Sequence, residues 1–166
     1  MKRFTNCKPN MSTTFLPVGS EVPDITVQTH DEQSVTLRDF RGKKVVLFFY
    51  PKASSPSCTK EACSLRDGYA DLQNHGFEVL GVSPDNPKPL RNFIEKQSLP
   101  YTLLSDPENE LTKAFGAWGE KKMRGKTYMG LLRSTFLIDE EGKVSHVIPK
   151  VVTKDHANQI IELLSV

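Results

Sequence analysis

Apolar and polar positions change their period several times along the chain, and each change predicts an element. From Lys44 to Tyr50 the run Val45-Val46-Leu47-Phe48-Phe49-Tyr50 is apolar without alternation. That pattern suits a strand covered on both faces, as in a sheet between layers of helices. After Pro51 the period becomes helical. Cys58, Ala62, Leu65, Tyr69 and Leu72 follow steps of four, three, four and three, which is one stripe of an amphipathic helix. Ser55 or Ser57 can cap its start, Pro56 suits the first helical position, and Gly76 is a natural stop. Phe77 to Val82 is the next strand, giving a βαβ unit with an expected right-handed crossover.

The remaining segments are shorter. Ile25 to Gln28 alternates and predicts a short strand, and Val35 to Phe40 another short segment. Pro87 to Ser98 reads as a helix with Leu90, Phe93 and Ile94 inward. Tyr101 to Leu104 is strand-like, and Asn109 to Phe115 is a short helix ended by Gly116. Residues 119–130 read as a loop. Ser134 to Ile138 and Lys143 to Ile148 form a hairpin around Asp139-Glu140-Glu141-Gly142, and Asp155 to Leu164 closes the chain as a helix with Ile160, Leu163 and Leu164 inward. This order predicts an α/β fold, a thioredoxin-like three-layer sandwich with an N-terminal addition, spanning residues 16–166. Ligands of open α/β sheets bind beyond the carboxyl ends of the strands, and the Tyr50-to-Cys58 connection lies at such an end.

Composition narrows the function. The 166 residues are 37% hydrophobic and 25% charged, with a net charge of +2. That balance fits one globular domain and excludes a basic nucleic-acid binder. The longest apolar run falls far short of the roughly 20 residues a membrane span needs, so no membrane partner is expected. Residues 1–15 carry Lys2, Arg3 and Lys8, and no acid precedes Glu21. They are read as a disordered tail, with an organelle-targeting segment as the alternative and Met11 as an alternative start. Three cysteines is an odd, low count, unlike a secreted disulfide scaffold. A cytoplasmic location follows as the expectation, with Cys7 a bystander in the tail.

Cys58 and Cys63 carry the candidate chemistry. The thiolate is the reactive form of cysteine, and a free thiol of pKa ~8.5 is only slightly ionised at neutral pH. In the first turn of a helix, unpaired N–H groups and the helix dipole favour negative charge at Cys58. Its place on the apolar stripe leaves a second reading open, a buried core cysteine. Cys63 lies five residues on, about 140° around a helix, so the two sulfurs point in different directions. Zinc sites pair cysteines two to four residues apart and need four ligands, and the four histidines do not cluster in sequence around the pair. Neither cysteine belongs to a C-x-x-C pair, which disfavours an ordinary dithiol exchanger.

The segment from Tyr50 to Asp67, Tyr-Pro-Lys-Ala-Ser-Ser-Pro-Ser-Cys-Thr-Lys-Glu-Ala-Cys-Ser-Leu-Arg-Asp, resembles the active-site segment of peroxiredoxins. More narrowly it is similar to the peroxiredoxin Q group, also called bacterioferritin comigratory proteins. Pro51, Ser55 and Cys58 meet the pattern Pro-x-x-x-Thr/Ser-x-x-Cys. A second segment agrees, running from Trp118-Gly119-Glu120-Lys121-Lys122-Met123 through Tyr128-Met129-Gly130 to Arg133-Ser134-Thr135-Phe136. The resemblance covers residues 16–165. It implies reduction of hydrogen peroxide and organic hydroperoxides, with Cys58 peroxidatic and Cys63 resolving. It further implies that Arg133 holds the thiolate and the peroxide, that Ser55 hydrogen-bonds the peroxide, that Pro51 shields the site, and that Glu61 orients Arg133. An always-charged guanidinium with a fork of donors suits both thiolate and developing oxyanion. A hydroxyl both donates and accepts.

The implied cycle needs no metal, haem or flavin. Cys58 becomes a sulfenic acid, Cys63 condenses with it to an intramolecular disulfide, and a thioredoxin- or glutaredoxin-like reductant restores both thiols. The resemblance implies a monomer or weak dimer. A protein disulfide oxidoreductase and a redox-sensing or holdase module of the same fold are the rival readings. Two departures bear on rate and substrate preference: Ser55-Pro56-Ser57-Cys58 stands where the group commonly has Thr-Pro-Gly-Cys, and Arg124 replaces the usual Tyr. Trp118 is expected to pack, and the Lys121-to-Arg124 run to be a solvated loop.

Overall fold

A computed structural model of the chain describes residues 15–164; Cys7 and residues 1–14 of the expected tail lie outside them. Strand β1 (Val27–Thr29) and β2 (Ser34–Val35) are followed by a 3-10 turn, Leu37–Phe40. Next come β3 (Lys44–Phe49), α1 (Pro56–Asp67), α2 (Tyr69–Asn74), β4 (Phe77–Ser83), α3 (Pro87–Gln97) and β5 (Thr102–Ser105). The second half holds α4 (Glu110–Ala114), β6 (Trp118–Met123), β7 (Lys126–Leu131), β8 (Ser134–Ile138), β9 (Val144–Ile148) and α5 (His156–Leu164).

Among the described residues seven strands form one mixed sheet in the order β9-β8-β3-β4-β5-β1-β2. β3, β4 and β5 run parallel, and β8 and β1 flank them antiparallel. The lack of alternation in β3 has its cause here. Val46, Phe48 and the following Tyr50 face a cluster with Leu65 of α1, Phe93 of α3 and Ile160 of α5. Val45, Leu47 and Phe49 face the opposite cluster with Phe115 and Phe136. Phe15 packs edge-on against Phe136 at 6.0 Å between centroids. This is the thioredoxin-like three-layer arrangement expected from the element order. Among the described residues no helix is long and apolar enough to cross a membrane.

Two expectations need correction. The single helix expected from Pro56 to the stop at Gly76 is two, broken at Gly68. A Cβ built at Gly68 would collide with the Cβ of Ala157. The glycine therefore lets α5 approach the end of α1 more closely than any side chain permits. The expected loop over residues 119–130 is instead the antiparallel hairpin β6–β7, paired from Trp118↔Leu131 to Met123↔Lys126. Arg124 and Gly125 turn it with φ of 52° and 79°, the left-handed pair that two-residue hairpins require. Trp118 does pack, partly buried against the second cluster, with Lys113 Nζ 4.8 Å over its ring.

Candidate active site

The chain leaves β3 at the buried Tyr50 and must turn sharply to start α1. The turn is tied to the neighbouring strand end. Asp85, just beyond β4, accepts the backbone N–H of Ala53 at 2.7 Å and the Ser83 hydroxyl at 2.8 Å on one carboxylate oxygen. Ser54 takes a left-handed φ of 69°. The Ser55 hydroxyl donates to the Lys52 carbonyl at 3.0 Å, so it does not cap the helix with its side chain. Its backbone does occupy the cap position, and Thr59 N–H closes the first intrahelical bond on Ser55 at 2.8 Å. Cys58 thus sits in the first turn, ahead of that bond, where amide hydrogens have no intrahelical acceptor.

Arg133 reaches the sulfur from the short link between β7 and β8. Its Nη2 donates to Cys58 Sγ at 3.1 Å, and its Nη1 to Glu61 Oε1 at 2.5 Å. Cys58 is 1% exposed and Glu61 fully buried. Glu61 follows Cys58 by three residues on α1, a spacing that puts both on one face of the helix, toward the arginine. Burial pushes the Glu61 carboxyl up to about 7, against the lowering pull of Arg133. On its far side Glu61 Oε2 lies 3.5 Å from His156 Nε2. Burial lowers His156 to about 4; the hydrogen bond to Gln159 opposes that shift and the Arg133 charge adds to it.

Beside Arg133 a pocket of about 370 Å³ opens, walled by Pro51, Leu132 and Phe15 and edged by Lys121. Burial, and then the charge of Arg133, lowers the Lys121 pKa. The Lys121 end of the expected solvated run is therefore a pocket wall. Cys63 is on α1 but turned elsewhere. It is half-buried, and its Sγ donates to Gln97 Oε1 at 3.4 Å. Cys58 and Cys63 are both free thiols.

Cys58, Arg133, Glu61 and Pro51 are thus gathered at one place. Ser55 stands at the helix start without a bond to that cluster, and Cys63 faces α3. Sequence reasoning missed three residues. Asp85 follows the carboxyl end of the strand beside β3, the position from which it can hold the turn. His156 is four residues before Ile160 on the inward stripe of α5, so continuing that stripe backward would have placed it inside. Lys121 gave no signal until the hairpin was recognised.

The fold and this site define a thioredoxin-like thiol enzyme with an arginine-held cysteine at a helix start. Residues 18–147 match the AhpC/TSA family. The chain is 50% identical over 149 residues to a putative peroxiredoxin bcp of Haemophilus influenzae, covering 90% of this chain and 96% of that protein. It is 43% identical to peroxiredoxin Bcp of Escherichia coli K12, again over 90% of this chain and 96% of that protein. Among solved structures, the bacterioferritin comigratory protein of Xanthomonas campestris, studied for alkyl peroxide reduction, superposes with a TM-score of 0.82. Its identity is 34%, covering 90% of this chain and 98% of that one. The chain belongs to the AhpC/TSA family and, within it, to the peroxiredoxin Q and Bcp group: it is a thiol peroxidase.

Proposed function

We propose that this peroxidase reduces hydrogen peroxide and organic hydroperoxides at Cys58 and resolves through Cys63. One observation carries the reading: Arg133 Nη2 is 3.1 Å from the Sγ of a cysteine in the first turn of a helix. The guanidinium stabilises the thiolate and stays charged throughout. A peroxide entering beside Pro51 meets the same guanidinium. The Ser55 hydroxyl already donates its proton to Lys52, which leaves its oxygen to accept the O–H of the peroxide. The Cys58 sulfur attacks one peroxide oxygen, the O–O bond breaks, and the other oxygen leaves as an alcohol or water after taking a proton. Cys58 becomes a sulfenic acid. The Cys63 thiolate attacks that sulfur, hydroxide departs and is protonated to water, and the disulfide leaves the cysteine pair two electrons short, those electrons having passed to the peroxide oxygens.

A thioredoxin-like dithiol, or a glutaredoxin-like one, returns those electrons by exchange. We place the enzyme in the cytoplasm, because two close-set free thiols need a reducing compartment to cycle, and we take it as a monomer or weak dimer. The test is peroxide consumption coupled to thioredoxin and its reductase. Sustained turnover by the wild type and none by Cys58→Ser is expected. Normal turnover in Cys58→Ser would overturn the assignment.

A further inference from the structure

Behind Arg133, the buried carboxyl of Glu61 faces a histidine that the proposed cycle does not use. The neighbours of His156 fix where its proton sits. Gln159 Oε1 accepts the Val152 backbone N–H at 2.9 Å, while its amide nitrogen donates to the Lys150 carbonyl at 2.8 Å. The amide orientation is therefore set, and the same Oε1 lies 2.9 Å from His156 Nδ1. Nδ1 must carry the hydrogen. In the neutral ring Nε2 then presents its lone pair. It receives the Thr135 hydroxyl at 2.7 Å and stands 3.5 Å from Glu61 Oε2.

Glu61 Oε1 is occupied by Arg133, and among the described residues no donor reaches Oε2. A carboxylate oxygen and an imidazole lone pair would repel each other across this buried gap. A proton on Oε2 removes the repulsion, and turns it into a hydrogen bond whenever the Thr135 hydroxyl gives up the Nε2 lone pair. The groups that act electrostatically on this spot are Cys58 of α1, Arg133, Tyr50 at the end of β3, Tyr101 before β5, and His156 itself. Lys121 of β6 acts on Arg133 and Cys58 from the pocket side. Arg133 is the permanent cation between them, and two acids, the Cys58 thiol and the Glu61 carboxyl, compete for it.

We infer that His156 is a positioning residue for the peroxidatic thiolate: by turning its Nε2 lone pair toward Glu61 Oε2 it keeps that carboxyl neutral and leaves the charge of Arg133 to Cys58. The inference rests on Cys58 being the reacting thiol. The pKa directions agree with it, since burial raises Glu61 to about 7 and lowers His156 to about 4. The one proton of the pair therefore stays on the carboxyl between about pH 4 and 7.

The experiment follows thiolate formation by its ultraviolet absorbance against pH in the full chain carrying Cys7→Ser and Cys63→Ser, so that Cys58 alone gives the signal. His156→Leu should move the midpoint upward by about one pH unit, a tenfold change. The same substitution in a Glu61→Gln background should move it by nothing, because the amide put in place of the carboxyl cannot ionise. Thr135→Val removes the hydroxyl that competes for Nε2 and should move the midpoint downward. An unmoved midpoint in folded His156→Leu, or an equal shift in the Glu61→Gln background, overturns the inference. If circular dichroism shows His156→Leu unfolded, Thr135→Val decides alone, and a midpoint that does not fall overturns it. Loss of turnover in Cys58→Ser with an unmoved midpoint defeats only this inference. Retained turnover in Cys58→Ser defeats the proposed function instead.

Discussion

The Tyr101 hydroxyl donates to the Ala62 carbonyl from inside the core, at 2.7 Å. Ala62 lies between the two cysteines, so this bond clamps the part of α1 that a Cys58–Cys63 disulfide must disturb. Two further bonds hold the same stretch to the end of α3: Arg66 Nη1 to the Gln97 carbonyl at 2.7 Å and Cys63 Sγ to Gln97 Oε1 at 3.4 Å. Five residues of helix rise about 7.5 Å before any sideways separation, and a disulfide tolerates Cα atoms only up to about 7 Å apart.

Disulfide formation should therefore unwind the helix around Ala62. Hydrogen exchange should show residues 57–66 protected in the dithiol form and exposed in the disulfide form; equal protection would defeat the idea. Tyr101→Phe keeps the ring and removes the clamp. A hydrogen bond contributes a net ~1 kcal/mol, so the opening equilibrium and the rate of disulfide formation should rise by up to about fivefold. A rate unchanged or lowered in rapid-mixing measurements would show that opening is not limited there.

Arg133→Lys should keep the fold and slow the attack on peroxide. Lysine preserves the charge but cannot hold Cys58 Sγ and Glu61 Oε1 at once, as the guanidinium does at 3.1 and 2.5 Å. Removing a preorganised donor to developing charge typically costs about 10²–10³ in rate. Stopped-flow constants within a few-fold of wild type would rule the role out.

Cys63→Ser should consume one equivalent of peroxide and then stall as a sulfenic acid open to over-oxidation. Mass spectrometry of the stalled protein checks this. Sustained thioredoxin-dependent turnover in that variant would show that Cys63 does not resolve. Cys7→Ser should leave the rate unchanged.

What can be read from the chain divides along physical lines. The β3 run and the stripe from Cys58 to Leu72 are legible because burial on two faces and on one face leave different periods. The break at Gly68 is not, because the stripe runs through it, and the contact that requires a glycine there, with Ala157, is made far along the chain. The β6–β7 hairpin escapes because much of it is exposed, including Tyr128 and Met129, so no buried face imposes an alternation. Arg124-Gly125 is its one local signal. Within the site, the cluster around Cys58 follows from two sequence motifs. The links from Asp85 to the turn and from His156 to Glu61 exist only once the fold brings those segments together.

The Glu61–His156 pair also predicts how stability depends on pH. In the unfolded chain a glutamate titrates near 4.5 and a histidine near 6.5; in the folded protein burial moves them to about 7 and about 4. Glu61, with its folded value raised, contributes stability that is full below 4.5 and lost as pH rises through 7. His156, with its folded value lowered, contributes stability that is full above 6.5 and lost as pH falls through 4. Between about 4.5 and 6.5 both states bind one proton, on the histidine when unfolded and on the carboxyl when folded. No net proton moves on unfolding there, so the contribution of the pair is flat. Above that window the folded state alone keeps the proton and stability falls. Below it the unfolded state binds the extra proton and stability falls again. Denaturant midpoints of the reduced protein should give a plateau with a shoulder on each side. Glu61→Gln should remove the neutral-pH decline and widen the acid one, which then begins below about 6.5; His156→Leu should remove the acid decline and widen the neutral one, which then begins above about 4.5. A decline near neutrality that persists undiminished in Glu61→Gln would show that another group causes it.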